Sequence, residues 1–207
     1  TDRDIDICTG EWGYNTYVHK LSEEAHAKAL TRMLVNNLAS GVTLSIWFST
    51  HAFPEHSGAL KDPEWGLLDY DFNPRPAFYA FKTINELMPA PVKHVSDPFG
   101  IEVTGNTVSE KRSEVFERDN NRHYVIALWQ ELWKPQDGFA GNPVSVILNV
   151  PQGTAITAHN SLDGSIVPAA TFHSGNQMTI SNLNMMDYPI LLDVKIPPGE
   201  ANGVLVR

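Results

Sequence analysis

Ile5-Asp6-Ile7-Cys8-Thr9-Gly10-Glu11-Trp12-Gly13 carries a short β-branched run into an acid and an indole bracketed by two glycines. The run reads as a strand over 5–9, ending at 10–13. Downstream, Ser22 is placed to cap a helix whose first turn holds Glu23 and Glu24, where the helix dipole favours negative charge. Ala25, Ala29, Leu30, Met33, Leu34, Asn37 and Leu38 then recur at helical spacing, and Gly41 stops the helix. Residues 42–48 are a second apolar, β-branched run, as expected of a strand buried on both faces of a parallel sheet.

A proline- and glycine-bearing loop over 49–76 follows, long enough to be a candidate functional loop. Residues 77–87 read as a second helix, with Phe78, Phe81, Ile84 and Leu87 partly on one face, and Pro89-Ala90-Pro91 ends it at a domain boundary. Beyond that point strand-like runs succeed one another at 100–104, 113–117, 123–130, 144–150, 156–160, 177–181 and 189–195. Asp119-Asn120-Asn121 and Asp163-Gly164 are hairpin-turn signals. The expected fold class is therefore α/β plus all-β, with an α/β part over 1–91 and an antiparallel β-sandwich over 92–207.

Composition narrows the partners. A formal net charge of -9 opposes nucleic acid and anionic membrane surfaces, and no apolar run approaches the roughly 18 residues of a membrane span. Cys8 is the sole cysteine, so no internal disulfide is possible. An acidic chain with aromatic residues suits a neutral polar ligand. Residues 1–4 lead straight into the first strand without initiator Met or secretory signal, so a fragment or processed chain is expected.

Chemistry in α/β barrels sits at the C-terminal ends of the strands. Here those ends present Glu11, Trp12, Gly13, Tyr14 and Asn15, then Trp47, Phe48, Ser49, Thr50 and His51. A carboxylate flanked by aromatic faces suits glycoside hydrolysis: the acid attacks or stabilises an oxocarbenium-like centre while flat rings hold the sugar's C–H faces. The bland alternative is a surface Glu beside a core Trp. Tyr14 either orients Glu11 or packs; His51 either lines the site or has no role; Trp65 reaches the site mouth or plugs the loop. His51, Glu55 and His56 do not make a persuasive zinc set among the neighbouring prolines, so no metal and no cofactor is expected. Trp129 and Trp133 are expected in the core or at a domain interface. His123, His159 and His173 show no visible partners in the sequence.

Thr9-Gly10-Glu11-Trp12-Gly13 resembles the segment that ends strand seven in clan A glycoside hydrolases, notably family 39 and related family 5 enzymes. Leu38-Ala39-Ser40-Gly41-Val42 and Ser45-Ile46-Trp47-Phe48 are similar to their passage from helix seven to strand eight. The stretch Glu64-Trp65-Gly66-Leu67-Leu68-Asp69, then Asn73-Pro74-Arg75-Pro76-Ala77-Phe78-Tyr79-Ala80, resembles their approach to helix eight. The resemblance covers about the first 90 residues in order. It implies the C-terminal part of a (β/α)8 TIM barrel followed by an accessory β-sandwich. It implies a retaining glycosidase with Glu11 as nucleophile and Trp47 as sugar platform; Trp12, Tyr14 and His51, beside them at the strand ends, are the other expected substrate-binding residues. It also implies that the acid/base lies upstream, because the sole Asn-Glu pair, Asn85-Glu86, reads as a solvated helix face. An upstream segment or partner chain would then complete the barrel around a carbohydrate substrate. The alternative is a non-catalytic sugar-binding or structural protein.

Overall fold

A computed structural model describes residues 6–16, 19–52, 65–119 and 121–199. Strand β1 (Ile7–Trp12) pairs in parallel with β2 (Val42–Trp47), and the ladder continues one step further where Phe48 N donates to Trp12 O at 2.8 Å. Strand β1 thus runs past Gly10, the expected stop, and carries Glu11 within its last turn of pleat. Helix α1 (Glu23–Ala39) connects the two strands. Ser22 caps it as the sequence requires, its hydroxyl accepting from Ala25 N at 3.0 Å, and Gly41 follows its end at φ +79°. Helix α2 (Pro76–Leu87) starts with proline in its first turn, where no N–H is needed. It buries its small residues Ala77 and Ala80, with Thr83 and Ile84, while Phe78, Phe81 and Leu87 are only half-buried.

The remaining strands form two antiparallel sheets. The larger has the order β3-β5-β6-β11-β8, built from β3 (Lys93–Val95), β5 (Lys111–Asp119), β6 (His123–Gln130), β11 (Ile190–Lys195) and β8 (Ala155–Asn160). The smaller has the order β4-β7-β10-β9, built from β4 (Glu102–Thr104), β7 (Asn142–Asn149), β10 (Gln177–Met185) and β9 (Ala170–Ser174). Their facing side chains, among them Tyr124, Ile126, Leu128, Val146, Leu148, Ile180 and Leu192, share one buried cluster. Alternate residues of the larger sheet, Phe116, Val125, Ala127, Trp129 and Leu191, point the other way and join the helices in a second cluster. The result is three layers: helices, five strands, four strands. Helix cover explains why β6 and β11 are buried on both faces.

Expectation and structure also part in burial and in side-chain partners. The strand β2 is covered on one face only: Trp47 is buried, whereas Leu44 and Ile46 are exposed because no described element lies over them. Trp129 is fully buried, but Trp133 is fully exposed on the 131–141 connection. His123 has a partner after all, the carboxylate of Asp193.

Helix α1 buries a second side that its apolar spacing did not announce. Lys28 and Arg32 reach the 131–136 segment, where Lys28 donates to Gln136 O at 2.6 Å and Arg32 to Leu132 O at 2.8 Å, with Glu131 pairing Arg32. His26 lies fully buried beside Trp47, ring centroids 5.4 Å apart, and neither ring nitrogen makes a hydrogen bond of ordinary geometry. Burial first, and the Arg75 charge second, hold His26 down to about 4, against weaker upward pulls from Glu23 and the Tyr14 backbone.

The sign follows. A histidine kept neutral in the fold lets the unfolded chain bind a proton that the folded chain refuses, so stability falls as pH drops from about 6.5 to about 4. The full loss is on the order of 3 kcal/mol. Urea midpoints measured from pH 7 to 4.5 are expected to decline more steeply for the wild type than for His26→Phe. Parallel slopes would rule this out.

Candidate active site

The ends of β1 and β2 and the segment around Trp65 enclose an open pocket of about 250 Å³ lined by Glu11, Trp12, Gly13, Phe48 and Trp65. Three aromatic residues therefore share a pocket wall with one carboxylate at the C-terminal end of a parallel strand pair. The volume is near the lower bound of the roughly 300–1,000 Å³ typical of ligand sites. Glu11 is exposed, so its carboxylate is free to meet a ligand from solvent.

Glycines make this closeness possible. A Cβ on Gly13 would sit 2.4 Å from Phe48 O and 3.3 Å from the Trp65 ring, so only glycine lets β1, β2 and Trp65 converge here. A Cβ on Gly66 would meet Ala52 N at 2.3 Å and Leu68 O at 2.4 Å. That crowding reflects a local ladder. Leu67 N donates to Ser49 O at 3.0 Å, Leu68 N to Thr50 O at 2.9 Å, and Ala52 N to Leu68 O at 2.9 Å. The segment after Trp65 thus runs beside the segment leaving β2.

The sequence candidates separate. Glu11 and Trp12 share the pocket; Trp12 is held by its indole N–H, which donates to Ser45 Oγ at 2.7 Å. Trp47, the register partner of Trp12, is 8% exposed and outside the pocket lining, edge-on to Trp12 with centroids 5.0 Å apart. Its indole N–H donates to Trp65 O at 3.2 Å, so it supports the pocket wall from behind. Tyr14 is half-buried beside the helical core, its ring edge-on to His19 at 5.8 Å, and burial raises its pKa. His51 stacks on Phe72 at 4.1 Å and its Nε2 lies 3.3 Å from Tyr70 O, outside the pocket lining. Glu55 and His56 lie outside the described residues, as do residues 53–64 of the long loop as a whole. Asn85 and Glu86 are exposed on α2, as a solvated helix face requires.

Two further residues line the pocket. Phe48, presented at the strand end beside Trp47, lines the pocket, while Trp47 is buried behind it against Trp12. Trp65 was left open between two readings. His19, whose ring meets Trp65 edge-on at 5.8 Å and accepts from Asn15 N at 2.9 Å, had no sequence signal. A second cavity, about 170 Å³, lies where the open sides of the two sheets meet; Ile156, Ala158, Val167, Ile180 and Leu192 line it with no acid or base, which marks it as a packing gap.

Neither a family model nor a curated protein matches this chain. Among solved structures it is similar to a family 39 glycoside hydrolase from the gut symbiont Bacteroides cellulosilyticus WH2, with a TM-score of 0.57 and 17% identity. The match covers 92% of this chain and 34% of the other, so the chain spans about a third of that protein's length. An α-L-fucosidase of family 29 from Bacteroides thetaiotaomicron is matched over 82% of this chain and 32% of its own at 12% identity, with a TM-score of 0.33, too low to carry an argument. The likeness to the family 39 protein is one of fold: a mostly-sheet chain with two helices that corresponds to part of a glycosidase-like fold.

Proposed function

We propose that this chain is part of a retaining glycoside hydrolase acting on β-linked glycosides, with Glu11 as its nucleophile. The observation that carries the reading is the pocket itself, which Glu11 at a strand end lines together with Trp12, Phe48 and Trp65. In the proposed reaction the Glu11 carboxylate attacks the anomeric carbon, and the aromatic faces hold the sugar ring by its C–H surfaces. Water then attacks the anomeric carbon of the glycosyl-enzyme, breaking the bond to Glu11 and freeing both the sugar and the carboxylate. A second carboxyl group about 5–5.5 Å from Glu11 must protonate the leaving oxygen. The pocket lining among the described residues holds only one acid, so we assign the partner to an upstream segment or a partner chain.

The open strand pair supports that assignment. Strands β1 and β2 form a sheet of two among the described residues, and Ile7, Leu44 and Ile46 are each more than 40% exposed on it. Such a pair is marginal alone and calls for further strands. In this reading residues 1–91 supply the last two units of a (β/α)8 barrel and residues 92–207 the accessory β-sandwich. The single acid also favours a second reading, a carbohydrate-binding protein that holds sugar on the aromatic walls without cleaving it.

A mechanism-based 2-deoxy-2-fluoro glycoside separates them. Applied to the complete protein, it is expected to leave a glycosyl label on the peptide carrying Glu11. Residues 1–207 alone are expected to stay unlabelled, because the barrel strands that would complete the sugar site are missing. A label on another carboxylate of an active complete protein defeats the assignment, and sugar binding with no label supports the binder.

A further inference from the structure

The wall residue Trp65 lies outside the regular elements, so something must fix it. Its own carbonyl accepts from Trp47 Nε1 at 3.2 Å. The next carbonyl, Gly66 O, accepts from Arg75 Nη1 at 2.9 Å, and Leu67 O accepts from Arg75 N at 3.0 Å. Arg75 is buried, and the rest of its guanidinium is engaged as well. Its Nε and Nη2 donate to the two carboxylate oxygens of Glu23 at 3.1 and 2.7 Å, and Nη2 also lies 3.4 Å from Thr16 Oγ1. One side chain therefore ties the Trp65 segment, the β1–α1 connection and the first turn of α1 together.

We propose that Arg75 is a positioning residue that sets Trp65 as a sugar-facing wall, with Glu23 orienting its guanidinium; this rests on reading the Glu11 pocket as the sugar site. A purely structural staple would need only charge and bulk. The geometry uses more: a planar fork that bridges a carboxylate with two bonds while its third nitrogen holds the peptide next to Trp65. Lysine keeps the charge and loses the fork. Gly66 is buried with no room for a Cβ, so its carbonyl has little freedom to find a replacement donor.

The test is Arg75→Lys in the complete protein, read in two independent ways. With 5-fluorotryptophan incorporated, the fluorine signal of Trp65, assigned through Trp65→Phe, is expected to shift or broaden while the signal of Trp129 in the sheet core stays fixed. In steady-state assays KM is expected to rise roughly 3- to 10-fold, the scale of one aromatic contact, with kcat little changed. Glu23→Gln, on a half-exposed residue, is expected to move both readouts in the same direction by less. It stands in if Arg75→Lys does not fold. An unmoved Trp65 signal with unchanged KM in a folded variant overturns the proposal. The fluorine readout needs no turnover, so it decides the positioning role even if the protein proves to bind sugar without cleaving it.

Discussion

Replacing Glu11 by glutamine is expected to lower turnover of the complete protein roughly 10³-fold or more and to leave its melting temperature unchanged. Glutamine keeps the size and polarity of the side chain but removes the anion that, in the proposed reaction, bonds to the anomeric carbon. The fold has little stake in the change, because Glu11 is exposed at the end of β1 and packing there is carried by Trp12, Trp47 and the glycines. The loss should fall mainly on kcat, since a nucleophile acts in the transition state more than in ground-state binding. Azide is expected to restore turnover to Glu11→Ala with formation of a glycosyl azide, because a small anion fits the space the carboxylate leaves. Near-normal turnover by a folded Glu11→Gln protein would remove the nucleophile from the proposal.

What the sequence announced and what it hid divide along the range of the interactions. Ser22, Glu23 and Gly41 mark the ends of α1 through chemistry completed within a few residues, and the helix forms where they place it. The run at 123–130 is recognisable from its composition alone and becomes β6. The short strands β3 and β9 escaped notice because they lie at sheet edges, where one neighbour strand supplies the pairing and burial is slight. At the site, Glu11 and Trp12 were legible because they adjoin in sequence. The choice between Trp47 and Phe48 was not. Successive strand residues face opposite ways, and which way counts as inward depends on where α1 packs. Trp65 becomes a wall only when the segment after it pairs with residues 49–52, and no local pattern encodes that partner. Lys28 and Arg32 are hidden for a related reason. A polar residue on a helix reads as solvated until a distant segment covers it, as 131–136 covers this one.

The ion pair under that cover should be the most expensive polar contact to break. Lys28 and Asp187 are both fully buried, with Nζ 3.1 Å from Asp187 Oδ1. Nζ also pairs with Glu24 at 2.7 Å, donates to Gln136 O at 2.6 Å, and sits 5.4 Å from the centre of the Tyr188 ring. Asp187 Oδ2 accepts from Gln136 N at 2.7 Å, whereas Oδ1 has no well-aligned hydrogen bond. Its contact with Lys28 is one of charge more than of hydrogen-bond direction. The lysine is thus the counter-charge that makes a buried carboxylate tolerable. Lys28→Met keeps the volume and strands that carboxylate, so a loss of about 3–5 kcal/mol is expected in urea unfolding. Adding Asp187→Asn removes the stranded charge and keeps an acceptor for Gln136 N. The double variant should therefore be more stable than Lys28→Met alone, with a coupling of about 1–3 kcal/mol across the cycle. The alternative is that Lys28 contributes mainly through its stem, packed along the helix. In that case Lys28→Met costs under about 1 kcal/mol and Asp187→Asn changes it additively. Such a result would mean that α1 is held to the sheets by its apolar cluster alone.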